Sequence, residues 1–442
     1  MKKIISLSLA FFMLLTMVAC GSQTGSDALT GSYRIHVSGY DWGAGVDSVM
    51  VTLDHVVDAV DPEDFVIQET KQATDFASEN KDIVIVNNER TIKDVYLCDE
   101  KGEKTDQASK YIQFELGVSP TEGSPLLYSA KTGFSTWSDP YELNIQLSED
   151  ADLTSNGKEV TSWTIDTAYT ERVTSVDQFK KESFTATDGV TYQYASYEPQ
   201  EGSDTLFVWL HGGGEGGVEN TDPYVTLLGN KVSVYGSEAF QEVIGGANVL
   251  VPQCPTFWMD PKGNQIAGCN ASAYSDGTSY YTKSLMELIE MYKEKTGSTK
   301  VILTGCSNGG FMALRLAIDY PDAFTAVAPV AEAMQERFLS DEDLNKIKDL
   351  PMYFVYSTND PVADPTLHEI PTLARLQALG ASNLHIATTD QVIDTSGTIE
   401  TEDGMPYEYS GHWSWIYFHN NEATCNDCGL TPWQWMAEVL CS

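Results

Sequence analysis

The segment Gly305-Cys306-Ser307-Asn308-Gly309 sets a serine between two glycines at G-x-S-x-G spacing, and it occurs once in the 442 residues. The apolar run Lys300-Val301-Ile302-Leu303-Thr304 leads into it, and a helical apolar period over 309–320 follows. That context predicts a strand–turn–helix junction, which presents a serine hydroxyl above a sheet. Flanking glycines remove side chains where the turn and the helix approach each other.

A serine hydroxyl is a weak nucleophile until a base takes its proton, and that base needs an orienting acid. Seven histidines keep the search short. His412, in Tyr409-Ser410-Gly411-His412-Trp413, follows the last predicted strand in a glycine-containing loop and is the expected base; His419 is its rival. His368 and His385 lie between the acid and that loop, with His385 on a predicted strand, while His36 and His55 read as structural. Asp360 stands just after the predicted strand 351–357, where ligands meet an open parallel sheet, and Asp364 is the nearest alternative.

Acyl transfer also needs donors for a developing oxyanion. His211-Gly212-Gly213-Gly214-Glu215-Gly216-Gly217 follows the predicted strand 205–210. The N–H of Gly213, with Gly214 as the fallback, and that of Asn308 are the expected donors. The run lacks the Lys-Ser/Thr ending of a phosphate loop, and His211 is expected to brace it. Trp258, Trp413 and Trp415 either wall a substrate pocket or pack in the core. Glu215 either meets a polar substrate group or pairs within its own loop, and Glu332 is a weaker candidate of the same kind.

These residues need elements to position them. From about residue 176 apolar strand runs alternate with helical stretches, which predicts a mostly parallel sheet with helices on both faces. The chain order Ser307, Asp360, His412 is that of the α/β-hydrolase fold, expected over 173–442. Residues 32–172 carry short alternating runs broken by polar turns, the pattern of an all-β sandwich of immunoglobulin-like type. Residues 1–19 read as a secretory signal, with Lys2 and Lys3 ahead of an apolar stretch too short to span a membrane. Met17-Val18-Ala19-Cys20 resembles a bacterial lipobox, which implies cleavage before Cys20, lipidation of its thiol and a polar tether over 20–31. The expected location is extracytoplasmic, on a bacterial cell surface, with membrane contact only through that N-terminal anchor.

The HGGGEGG stretch, GCSNGG at 305–310, the strand-end Asp360 and Gly411-His412-Trp413-Ser414-Trp415 together resemble the secreted esterases grouped with polyhydroxybutyrate depolymerases and prolyl-oligopeptidase-like hydrolases. Some of these carry an immunoglobulin-like N-terminal domain. The resemblance implies hydrolysis of small or oligomeric acyl esters through an acyl-enzyme on Ser307, with no metal or cofactor. Two other readings stand beside it: a serine peptidase on the same fold, and a catalytically silent surface binding protein.

Charge and cysteine usage narrow the setting. The sequence holds 64 acidic against 26 basic residues, a net charge of −38, which excludes nucleic acid as a partner because phosphate binding needs cations. Cys98 and Cys306 are expected to be buried small hydrophobes. Cys254, Cys269, Cys425, Cys428 and Cys441 fall late in the chain, where export would permit disulfides of unspecified connectivity. Cys425-Asn426-Asp427-Cys428 has zinc-knuckle spacing, but no second pair with histidine follows, so no metal is expected there.

Overall fold

Period-two alternation builds the N-terminal half. In Tyr141–Leu147 the side chains of Tyr141, Leu143 and Ile145 are buried, while Glu142, Asn144 and Gln146 take the other face, as in a sheet with one wet side. The computed structural model describes residues 27–217, 222–264, 275–399, 401 and 404–441. The signal segment, Cys20 and Cys269 lie outside the described residues.

One sandwich sheet contains β1 (Ala28–Tyr40), β2 (Gly43–Val57), β5 (Ile92–Cys98), β6 (Ser109–Leu116), β12 (Ser162–Ile165) and β13 (Glu171–Thr174). The facing sheet has the order β4-β3-β9, from β3 (Phe65–Thr74), β4 (Ile83–Glu89) and β9 (Tyr141–Leu147). Phe65 and Phe114 meet edge to face between them at 4.9 Å. A short hairpin, β7 (Leu126–Ser129) with β8 (Phe134–Trp137), stands apart, as do the two-residue strands β10 (Thr154–Ser155) and β11 (Lys158–Glu159). The sandwich is longer at both ends than its expected limits. Ala28–Gly31, read from sequence as tether, pair with Ser162–Ile165, and Glu171–Thr174 pair with Arg34–Val37.

The second half is an eight-stranded sheet of order β14-β15-β17-β16-β18-β19-β20-β21. Its members are β14 (Lys180–Thr185), β15 (Thr191–Tyr197), β16 (Thr205–Leu210), β17 (Asn248–Gln253), β18 (Lys300–Cys306), β19 (Ala326–Val330), β20 (Met352–Ser357) and β21 (Leu384–Thr389). Pairing is parallel from β17 to β21, while β15 runs against both of its neighbours. All six residues of β16 are buried, because helices cover both faces and no side of the strand meets water.

On one face lie α3 (Thr282–Thr296), α4 (Asn308–Asp319), α5 (Asp341–Ile347) and α6 (Glu369–Ala378), packed on Leu206, Val208 and Leu303. The other face, with Phe207, Trp209 and Ile302, receives α1 (Tyr224–Gly229), α2 (Glu238–Ile244), α7 (Trp415–His419) and α8 (Pro432–Cys441). That second core continues without interruption into the sandwich interior. A two-strand ribbon, β22 (Val392–Ile393) with β23 (Glu408–Tyr409), leads toward α7. Cys98, Cys254, Cys306, Cys425, Cys428 and Cys441 are all free thiols, so the disulfides that export would permit do not form among the described residues. No helix among them is long and apolar enough to cross a membrane.

Candidate active site

β18 ends at Cys306 and α4 begins at Asn308, so Ser307 occupies the whole turn between them. Its backbone has φ 54° and ψ −116°, a conformation that costs a non-glycine residue on the order of 1–3 kcal/mol and persists only where its surroundings enforce it. The surroundings do enforce it. The Ser307 N–H donates to the Val330 carbonyl at 2.9 Å, and its own carbonyl accepts from Phe311 and Ala333. Gly309 is required two residues on, because a Cβ there would overlap the Leu210 carbonyl of the neighbouring strand.

His412 and Asp360 converge on this serine. His412 Nε2 is 2.9 Å from Ser307 Oγ, and His412 Nδ1 is 2.7 Å from Asp360 Oδ2. Asp360 is buried, and its other oxygen accepts the N–H groups of Val362 at 2.7 Å and Ala363 at 2.9 Å. A carboxylate held by two N–H donors keeps one oxygen aimed at the imidazole. Nδ1 then carries the proton and Nε2 presents its lone pair to the hydroxyl. Trp415 stands edge-on to the His412 ring at 5.2 Å and Trp413 stacks on Tyr409 at 5.7 Å, so both tryptophans steady the histidine loop.

The rivals fall elsewhere. His419 is fully buried, paired through Nδ1 with the Tyr235 hydroxyl at 2.8 Å, and burial holds its pKa down to about 3. Asp364 is exposed and caps its own turn through Thr366. His36 pairs with Asp47 and His55 with Asp54, both far along the sandwich sheet. His211 accepts the Cys254 N–H at Nε2 and donates from Nδ1 to the Gly212 carbonyl. It braces the glycine loop, as expected, and burial lowers its pKa to about 4.

Two pocket candidates are corrected. Trp258 is fully buried, donates its indole N–H to the His211 carbonyl at 3.1 Å and stacks near Tyr192; it is core, ringed by Tyr192, His211 and Tyr281. Glu215 points away from the cleft, accepting from Asn230 Nδ2 at 2.8 Å beside His211. Burial pushes its pKa up to about 7. Glu332 is likewise buried, accepting the Met334 N–H at 2.5 Å.

Gly213 and Gly214 sit at the cleft end of the loop with open space around them. A Cβ on Gly213 would meet only Phe257, and one on Gly214 only Ser135. Asn308 opens α4, and its buried Oδ1 accepts the Met259 N–H at 3.0 Å. Ser135 belongs to the sandwich, and so does the residue before it. The Ser135 N–H donates to the Gly214 carbonyl at 2.6 Å, and the Phe134 ring packs on Phe257 at 4.9 Å. Sequence reasoning missed this contribution, since four-residue strands carry almost no periodic signal.

Comparison with known proteins agrees with this architecture. Residues 32–162 match the family model described as an esterase Ig-like N-terminal domain, and residues 206–355 match that of the alpha/beta hydrolase fold. The chain therefore carries an esterase-type immunoglobulin-like domain followed by an α/β-hydrolase domain. A solved thermostable esterase superposes with a TM-score of 0.64 at 18% identity, covering 89% of this chain and 96% of its own. The feruloyl esterase module from Clostridium thermocellum, complexed with sinapinate, is 15% identical over 48% of this chain and 80% of its own, with a TM-score of 0.34. No curated relative matches the chain by sequence.

Proposed function

We propose that this protein is a serine hydrolase that cleaves carboxylic esters through an acyl-enzyme on Ser307. The observation that carries the reading is the unbroken chain from Ser307 Oγ through both His412 nitrogens to Asp360. In the forward step Ser307 Oγ attacks the ester carbonyl while its proton passes to His412 Nε2. Asp360 stabilises the imidazolium without taking its proton. The oxyanion is held by the Asn308 N–H and by that of Gly213, with Gly214 as the alternative, each such donor being worth roughly 3 kcal/mol of barrier. His412 then protonates the departing alkoxide, and a water deprotonated by the same nitrogen releases the acid.

Small or oligomeric acyl esters are the substrate class, since the domain that precedes the hydrolase is of a type named for esterases. Peptide cleavage uses the same constellation and is the reading to exclude. Parallel assays on p-nitrophenyl esters, feruloyl esters and amino-acyl anilides decide it; a preference for anilides sinks the ester proposal. Ser307→Ala is expected to abolish labelling by a fluorophosphonate probe while the circular dichroism spectrum stays unchanged. An unlabelled wild type would mean that the protein is catalytically silent. Lipidation of Cys20 and a cell-surface location complete the proposal. Metabolic incorporation of an alkyne fatty acid, lost in Cys20→Ala, is the expected result.

A further inference from the structure

One side-chain cluster outside the active site has the makings of a second. His385 on β21 and the pair Cys425 and Cys428, in the loop between α7 and α8, bring their nitrogen and sulfur atoms within 4.8 Å of one another. We propose that these three residues bind a soft divalent metal ion, zinc foremost, which fastens the last strand of the sheet to the segment that follows the histidine loop. The proposal does not depend on the esterase reading.

The imidazole is oriented for coordination. Its Nε2–H donates to Asn383 Oδ1 at 3.0 Å, so Nδ1 carries the lone pair, and Nδ1 is 3.4 Å from Cys428 Sγ. With Zn–S near 2.3 Å and Zn–N near 2.0–2.1 Å, a tetrahedral nitrogen–sulfur edge is about 3.6 Å. The observed spacing is close to that value before any ion is considered. Tyr353 stacks on the ring at 5.9 Å with 10° between planes, which limits its rotation. An acceptor on the far ring nitrogen fixes the tautomer and orientation of a metal-binding histidine.

The cysteine loop is shaped as a sulfur knuckle. Gly429, with φ 75°, turns the chain so that its N–H donates to the Cys425 carbonyl at 2.8 Å. Thiolate is the form in which cysteine binds soft metals, and metal binding itself releases the thiol protons. The loop is seated on β21 and β20 by other bonds as well: the Asn426 N–H donates to the Ile386 carbonyl of β21 at 2.8 Å, and the Tyr353 hydroxyl of β20 donates to the Leu430 carbonyl at 2.8 Å. The three ligands are therefore already gathered without help from the ion. Two thiolates balance the dication, their protons passing to solvent, and a water completes the tetrahedron.

The site escaped the sequence because the third ligand lies upstream of the cysteine pair, on a strand.

The full-length protein, reduced with a phosphine and freed of metal by chelator, is titrated with Co²⁺. One equivalent is expected to give the visible bands of tetrahedral cobalt with thiolate charge transfer. Zinc should displace it, stay bound through dialysis and raise Tm by roughly 5 °C at a hundredfold excess over Kd. Cys428→Ser, at an exposed position, and His385→Ala should lose the spectrum and the shift, while Cys441→Ser keeps both. A Cys425–Cys428 disulfide in the protein as isolated overturns the proposal. So does an octahedral or absent cobalt spectrum in the reduced wild type, or an unchanged spectrum in Cys428→Ser.

Discussion

Asp360 has two tasks that can be separated by experiment. It accepts from the Val362 and Ala363 N–H groups and it holds His412 Nδ1. In Asp360→Asn the amide still fills the site, but one of its faces is now a donor, and the imidazole is driven to the wrong tautomer. We expect kcat on a good ester to fall about 10⁴-fold with KM nearly unchanged, as for triads in general. A loss confined to KM would mean that Asp360 serves binding. Behind the serine lie Glu332 and Glu369, both buried. Burial pushes Glu332 up to about 8, and burial together with the Glu332 charge holds Glu369 well above the usual carboxylate range. The folded state therefore keeps protons that the unfolded chain releases. Stability is full below the ordinary glutamate pKa and is lost as pH rises toward 8. Glu332→Gln, which mimics the protonated form, should shrink the fall in Tm between pH 5 and 8; an unchanged slope would remove this pair as its cause.

At the scale of elements, the strand ends carry the chemistry and the sandwich holds the loops. The β7–β8 hairpin bonds to Gly214 through Ser135 and sets Phe134 against Phe257. Trp137 donates to Asp222 at 2.8 Å, with the Arg172 guanidinium stacked on its ring at 3.4 Å. At the other end of the interface Asp41 accepts from Lys231 at 2.9 Å and from Asn420 at 3.1 Å, one residue after α7. The N-terminal domain thus reaches both the glycine loop and the segment following His412. Phe134→Ala leaves a cavity over Gly217 and should cost about 3 kcal/mol of stability. We also expect a slower acylation burst, by about tenfold, because donors misplaced by a fraction of an ångström stabilise the oxyanion less. A burst rate equal to wild type in folded enzyme would confine the hairpin to a packing role.

For the whole molecule, one apolar cluster runs from Val37 and Val46 in the sandwich to Leu227, Leu228 and Trp209 in the hydrolase domain. Domains that share a core do not melt separately. Calorimetry is expected to show a single transition, and two resolved transitions would contradict that coupling. Asp41→Ala, which strands Lys231 and Asn420, should lower that transition by about 1–3 kcal/mol in stability terms. The acidity belongs to this scale as well. The net charge of −38 is a property of the chain as a whole, and charge of that size bears on solubility and association, not on the fold.

Much of this was legible in the residue order. An apolar run, a glycine-flanked serine and a helical period define a junction locally. Its strand, turn and helix appear as β18, Ser307 and α4. Asp360 and His412 were legible by position, since loops at the carboxyl ends of parallel strands converge on one edge. Local rules failed where the outcome depends on what packs across from a residue. Trp258 and Glu215 lie close to the glycine loop in sequence or space, yet they point into the core, and no period reports which way a loop side chain turns. The sandwich limits at Ala28 and Thr174 were missed because they are set by pairing with strands 130 residues or more away. The same holds for the hairpin against Gly214 and for His385 beside Cys428. The sequence alone determined which chemistry was available, because nucleophile, base, acid and amide donors are matters of residue type on locally coded elements. Which of those groups meet, and what steadies them, was decided by tertiary structure, since only long-range packing brings a strand, a loop and a second domain within hydrogen-bonding distance.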